Sequence, residues 1–246
     1  MLYGVFSDIH SNLEALERVI EFFKSSGAQA HLCCGDLVGY GPNPNECLEM
    51  VRSLPNLSAV CGNHDLAAAG RMDPGWFNAY ARDAISWTRR ELSPDSLRYL
   101  SSLRPRMDGP EWTLAHGTPR KPADEYFLSV LQYKQSLGLV KTWPLFVGHS
   151  HMPLCFRPVP GGEAEMSMLE DGQEVRVAPR SAAAAFNPGS VGQPRDHDPR
   201  ACCALYDSGT GSFRVARLSY DVAAVQAKIR RAGLPEFLAQ RLELGR

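Results

Sequence analysis

The chain has 246 residues, a formal net charge of -1, 44% hydrophobic and 22% charged residues. That length supports one large domain or two small ones, with a sizeable buried core. The charge balance gives no electrostatic reason to expect nucleic acid or a membrane surface as partner, and no apolar run approaches the ~18 residues that span a bilayer.

At the amino end "MLYGVFSD" reads as a short apolar strand that meets Asp8 at once. No charged region followed by a cleavable apolar core precedes it, which points to the cytoplasm. "SNLEALERVIEFFKSSG" has apolar residues at 13, 16, 19, 20 and 23, the spacing of a helix, with Ser11 or Asn12 to cap its start and Gly27 its end. "AHLCCGD" is a second strand, "NPNECLEMVRSL" a second helix entered from a Gly/Pro loop, and "LSAVCGNHD" a third strand. This alternation favours a βαβ core with mainly parallel pairing.

Residues 66 to 104 read as helical throughout, with a clear start at Ser93-Pro94. From 112 short strands return in "WTLAHG", "LFVGHSH", "AAAAFNPGSV", "ACCALYD" and "SFRVARL", while the polar stretch 161–174 reads as a hairpin or exposed loop. "SYDVAAVQAKIRRAG" and "LPEFLAQRLELG" are two closing helices. There is no internal repeat or linker, so one domain over 1–246 is the simpler organisation. The seven cysteines are odd in number and lack CxxC spacing, and two pairs are adjacent, Cys33-Cys34 and Cys202-Cys203. They are expected to be reduced thiols packed as small apolar residues in buried strands.

Polar groups gather at the ends of these strands. Strand one ends in Asp8 and His10, strand two in Asp36, and strand three in Asn63, His64 and Asp65; His116, then His149 and His151, end later strands. Alternation in an extended chain would put Asp8 and His10 on the same side. The intervals 8 to 36 and 36 to 63 are each one strand-helix unit, so these groups should emerge at the carboxyl edge of the sheet. Singly, such an Asp is usually a turn former and such a His a surface or satisfied core residue. Together they include five of the seven histidines, and a cluster of this polarity is costly to bury without a cation. Imidazole and oxygen donors suit zinc, manganese, iron, cobalt or nickel rather than calcium. Seven or eight candidate ligands suit two metals sharing one carboxylate, the arrangement for displacement at phosphorus.

The blocks "DIH", "GD", "GNHD", "AHG" and "GHSH", in this order and spacing, resemble the signature of the calcineurin-like metallophosphoesterases from residue 1 to about 220. "GDLVGYGPNPNEC" and "NPGSVGQPRD" bring the chain closer to the small cytoplasmic bacterial and archaeal members than to the Ser/Thr protein phosphatases. The resemblance implies an α/β fold in four layers, two mixed β-sheets flanked by helices; the closing helices, from about 219 onward, are expected from the sequence itself to pack on that core or to form a dimer face. A homo-oligomer is therefore left open. It also implies one metal on Asp8, His10, Asp36 and His151 and another on Asp36, Asn63, His116 and His149, with Asp36 shared. A hydroxide between two divalent ions would then be the nucleophile; manganese is the first expectation, with iron, nickel, cobalt, zinc or magnesium as alternatives. His64 falls where the family has a histidine that protonates the leaving oxygen or stabilises the phosphoryl group.

One departure is clear: where protein phosphatases have the second Asp of GDxVDRG, this chain has Gly39 followed by Tyr40, so His64 lacks that orienting partner. Arg195 is a candidate phosphate contact, and Tyr40, Asn43 and Asn63 are candidates for the pocket wall. His197 reads as an exposed loop residue and Asp65 as a turn or supporting group. The reading is a phosphodiesterase acting on a phosphate-ester substrate. Its alternatives are a phosphomonoesterase and a non-catalytic binding module of the same fold. A metal-dependent peptidase is disfavoured by the absence of HExxH.

Overall fold

The computed structural model describes residues 1–178 and 183–246. In chain order these form β1 (Leu2–Phe6), α1 (Leu13–Ser25), β2 (Ala30–Cys33), α2 (Pro44–Arg52), β3 (Leu57–Ala59), α3 (Asn63–Ala68), α4 (Ala79–Glu91) and α5 (Pro94–Ser102). There follow β4 (Arg106–Asp108), β5 (Thr113–Ala115), α6 (Val130–Ser136), β6 (Leu145–Phe146), β7 (Pro153–Pro158) and β8 (Ala164–Met168). Last come β9 (Glu174–Arg176), β10 (Ala185–Pro188), β11 (Ala201–Asp207), β12 (Ser212–Leu218), α7 (Val222–Arg231) and α8 (Glu236–Leu244). The predicted strand from Ala182 begins outside the described residues and is seen as β10.

Two six-stranded mixed sheets result, ordered β3-β2-β1-β11-β12-β9 and β4-β5-β6-β10-β7-β8. In the first, β1, β2 and β3 pair in parallel and β11 joins β1 antiparallel; in the second, β5, β6 and β10 are parallel neighbours. Alternation along β1 shows why the sheets stack. Tyr3 and Val5 face the other sheet among Phe146, Phe186, Tyr206 and Phe213, while Phe6 faces the helices and meets Phe23 of α1 at 5.7 Å. Phe186 and Phe213 stack at 4.3 Å across the sheets; burying each such ring is worth about 1.5–3 kcal/mol. Outside the second sheet, Phe127, Tyr133 and Phe156 form a smaller cluster. Helices, sheet, sheet and helix make the four layers.

Asn12 caps α1 by accepting from Ala15 N, and Ser93 caps α5 by accepting from Ser96 N. The span read as continuously helical is instead α3, one 3-10 turn at Pro74–Trp76, α4 and α5. Pro74 and Pro94 both sit at helix starts, because proline lacks the N–H that a helix interior needs. The α7–α8 pair places Val225, Ile229, Leu238 and Leu242 in the core cluster that also holds Leu16 and Val19, so it caps the first sheet's helical layer. Among the described residues no helix is long and apolar enough to cross a membrane, and all seven cysteines are free and buried.

Candidate metal centre

Parallel pairing brings the ends of β1, β2 and β3 to one edge, and β5 and β6 deliver their ends to the same place. Asp8 and His10 do converge, but alternation is not the reason. β1 stops at Phe6, and both residues lie beyond it with φ of 54° and 48°. Asp36, His149 and His151 share this left-handed backbone, at 52°, 67° and 60°. Such conformations cost about 1–3 kcal/mol each outside glycine and gather at functional sites. Here they are held by bonds such as Asp8 N to Gly35 O at 2.9 Å and His10 N to Asp36 O at 3.0 Å.

The side chains then meet in two facing pairs around Asp36. His10 Nε2 lies 3.2 Å from His151 Nε2, and His116 Nε2 lies 3.2 Å from His149 Nδ1 and from Asn63 Oδ1. Asp36 Oδ2 stands between, 3.6 Å from His10 Nε2 and 3.4 Å from His116 Nε2, while Asp8 Oδ1 is 3.4 Å from His151 Nε2. Asp8, His10 and His151 form one group that can hold an ion, and Asp36, His116 and His149 another. All are buried, with Asp8 and His116 at 0% exposure.

The outer nitrogen of each ring settles what the inner one offers. His10 Nδ1 donates to Val38 O (3.1 Å), His116 Nδ1 to Cys34 O (2.8 Å), His151 Nδ1 to Gln193 O (2.6 Å) and His149 Nε2 to Asp124 O (3.1 Å). In the neutral rings the inward nitrogens are therefore lone pairs, the tautomer that binds metal. Two lone pairs 3.2 Å apart repel unless a cation lies between them. That spacing matches the edge between two nitrogens at ~2.0–2.1 Å from one ion, about 2.9–3.4 Å. The donor set fits divalent transition ions.

Three of the four rings are held neutral and His116 is the exception. Burial holds His10 and His151 well below the ordinary histidine range and brings His149 down to about 3. Burial also opposes charge on His116, but the Asp36 carboxylate outweighs it and raises that ring to about 9. A proton on His116 thus takes a cation's place. Burial likewise opposes the charge on Asp36, yet His116, His64 and His10 hold it below the usual carboxylate range. Asp8, where burial prevails, rises to about 7.

His64 N donates to Asp36 Oδ1 at 2.9 Å, and its buried Nδ1 has no hydrogen-bond partner. Burial lowers its pKa to about 4. Rings replace the missing carboxylate in orienting it: Tyr40 at 4.4 Å, Phe77 at 4.8 Å and His10 at 4.9 Å. The absence of a side chain at position 39 is required, since a Cβ on Gly39 would lie 2.5 Å from His64 Nδ1.

Asp36, Asn63, His64, Tyr40 and Arg195 line a cleft of about 280 Å³ together with His149 and His151. Trp76, Phe77 and Tyr126 also line it, and Tyr126 stacks on His149 at 4.0 Å; nothing in their spacing announced this. Asn43 stands apart, accepting from Lys228 Nζ at 3.3 Å. His197 is exposed and tied to the chain's end through its N–H to Gly245 O at 2.9 Å. Asp65 accepts from the N–H groups of Leu37, Val38 and Gly62 and so clamps the Asp36 loop to α3. In the "NPGS" block, Asn187 donates to Gly148 O at 2.7 Å and Ser190 Oγ to Asp8 O at 2.9 Å, bracing two of the loops.

With that geometry in place, a family model described as a calcineurin-like phosphoesterase superfamily domain matches residues 1–211. The chain is similar to a crystal structure of a metallophosphoesterase from Sphaerobacter thermophilus, at 40% identity and TM-score 0.89 with all of both chains covered. It is 36% identical over 255 residues to an uncharacterized protein of Methanocaldococcus jannaschii, covering 100% of this chain and 98% of that protein. Its fold is also that of a hypothetical protein from Pyrococcus horikoshii OT3, at 22% identity and TM-score 0.81, with 100% and 98% covered.

Proposed function

Because the chain belongs to the calcineurin-like phosphoesterase superfamily, we propose that it hydrolyses phosphodiester bonds with the help of two divalent cations, manganese first among the candidates. The observation that carries this is the pair of facing imidazole couples, each 3.2 Å apart, on either side of one carboxylate oxygen of Asp36. Asp8, His10, Asp36 and His151 would hold one ion, and Asp36, Asn63, His116 and His149 the other. When bound, such ions make water nucleophilic near neutral pH and offset the charge on the phosphoryl oxygens.

The chain's own residues do the rest. Val38, Cys34, Gln193 and Asp124 fix the four imidazoles through their carbonyls, so the ligands need little reorganisation. His64, held by its ring neighbours beside Asp36, donates an N–H to the leaving oxygen or to the phosphoryl group. Arg195 on the cleft wall places a fixed cation beside the substrate's phosphate. The preference for diesters rests on "GDLVGYG" standing where protein phosphatases carry a second acidic residue. We read residues 1–246 as one domain and its buried free thiols as those of a cytoplasmic protein.

The test is hydrolysis of bis-p-nitrophenyl phosphate against p-nitrophenyl phosphate by metal-stripped protein, with and without manganese, beside Asp36→Asn. Faster manganese-dependent diester cleavage that the variant lacks is the expected result. A monoester preference would transfer the assignment to a phosphatase. Bound metal with no turnover of either ester would make this a binding module.

A further inference from the structure

Resting on the phosphoesterase reading, a second feature of the cleft bears on the substrate. Arg195 follows β10 and lines the cleft, whereas Arg241 arrives on α8 from the far end of the chain. Their guanidinium carbons lie 6.0 and 5.9 Å from the centroid of one ring, Tyr40. That ring packs on His64 and, at 4.7 Å, on His10. Two cations therefore lie over a ring that touches the candidate metal centre.

Arg195 has no carboxylate within ion-pair distance among the described residues. Arg195 Nη2 donates to Gln193 Oε1 at 3.0 Å, and Arg241 Nε donates to the backbone oxygen of Arg246, the last residue. Arg195 Nε is buried with no hydrogen-bond partner at all. Other arginines pair with carboxylates, Arg217 with Asp196, Arg200 with Asp198 and Asp171, and Arg230 with Glu236, or donate to carbonyls, as Arg71 and Arg89 do, but none of these lines the cleft. Arg195 does weigh on Asp8 from a distance, against the burial that raises that carboxyl, but Asp8 is committed to the metal ligands.

Burial, with Arg195 adding to it, brings Arg241 down to about 10, and Tyr40 and Tyr126, both on the cleft wall, act on it in the opposite sense. The two guanidiniums oppose one another, and burial strips Arg241 of part of its water. A multiply charged anion relieves that repulsion, and guanidinium forks match phosphate oxygens.

We propose that Arg195 and Arg241 form an anion subsite on the rim of the metal cleft, and that it takes a second phosphoryl group of the substrate beside the one hydrolysed. The substrate class is then phosphoesters carrying two or more phosphoryl groups rather than a lone ester.

The experiment is titration calorimetry on manganese-loaded protein at fixed free manganese. The probes are methylenediphosphonate, with two phosphoryl groups and no hydrolysable bridge, and methylphosphonate, with one. Wild type should bind the diphosphonate at least tenfold more tightly. Because the ions themselves favour a chelating probe, the deciding quantity is how that ratio changes in Arg195→Gln and Arg241→Gln, where it should fall at least threefold. Arg241→Lys, which keeps the charge without the fork, should keep part of it. Melting temperatures establish that the variants fold, and Arg195→Gln and Arg241→Lys carry the test if Arg241→Gln does not. A ratio unchanged in either folded glutamine variant, or no preference in wild type, overturns the proposal. Bis-p-nitrophenyl phosphate turnover by the same preparation keeps the two ideas apart. Turnover without discrimination removes the subsite alone, and discrimination without turnover removes the hydrolase reading and leaves the subsite standing.

Discussion

Replacing Gly62 by alanine adds one methyl group against the candidate metal centre. Gly62 has φ of -99° and ψ of -174°, extended backbone open to any residue, so the substitution brings no left-handed strain. Its Cβ, however, would lie 2.1 Å from Asp36 Oδ1 and 2.7 Å from His116 Cε1. Ordinary contact lies at about 3.5–4.0 Å. The Asp36 carboxylate and the His116 ring must therefore retreat by on the order of 1 Å, and Asp36 Oδ1 is also the acceptor that holds His64 N. Overpacking of this kind costs about 1–3 kcal/mol, which for a chain of this size lowers Tm by about 2–12 °C. A misplacement of ~1 Å at reacting groups costs about 10²-fold in rate. Gly62→Ala should thus lose most of its manganese and at least about 10²-fold in bis-p-nitrophenyl phosphate turnover while still melting cooperatively. Gly138→Ala, with nothing within 4 Å of its Cβ, serves as the control and should match wild type. Full manganese content and wild-type turnover in Gly62→Ala would refute the placement of Asp36 and His116 at the reacting centre.

His64→Ala should cut turnover by about 10²–10⁴-fold, the range for losing a positioned proton donor, and leave manganese content unchanged. Loss of metal in that variant would mean that His64 is itself a ligand, as its grouping with His10 and Asp36 allows. Burial pushes the thiols of Cys61, Cys155 and Cys202 up to about 12. A thiol reagent should therefore find almost none in native protein and all seven after denaturation; rapid native labelling would contradict the burial. Manganese in excess should raise Tm above that of chelator-treated protein, since free ion at 100 times its Kd stabilises by about 2.7 kcal/mol. Coincident melting curves would show that the folded chain does not take up the ion.

Much of this architecture was legible because its signals are local. The helical spacing of Leu13 to Phe23 and the hairpin strands "ACCALYD" and "SFRVARL" coincide with α1, β11 and β12 almost residue for residue. Short elements were not legible: "RMD", "PLCFRP" and "VLQYKQS" became β4, β7 and α6, each too brief or too Pro-bounded to show a period. Asp8 and His10 stood out as polar groups after an apolar run. The left-handed turns that aim them are set by bonds to Gly35 and Asp36 carbonyls across the sheet edge, and residue type alone does not reveal those. The imidazole anchors were invisible for the same reason, being backbone carbonyls. Arg241 was missed because only the tertiary packing of α8 brings it over Tyr40, about 200 positions earlier in the chain.

The dinuclear assignment is tested most directly by counting manganese. Wild-type protein loaded with manganese, freed of excess ion and analysed by mass spectrometry should carry two ions per chain. Asp36→Asn, which removes the charge placed between the two histidine couples, should carry one or none. A single ion in wild type, or two ions retained in Asp36→Asn, would contradict a centre built around that shared carboxylate.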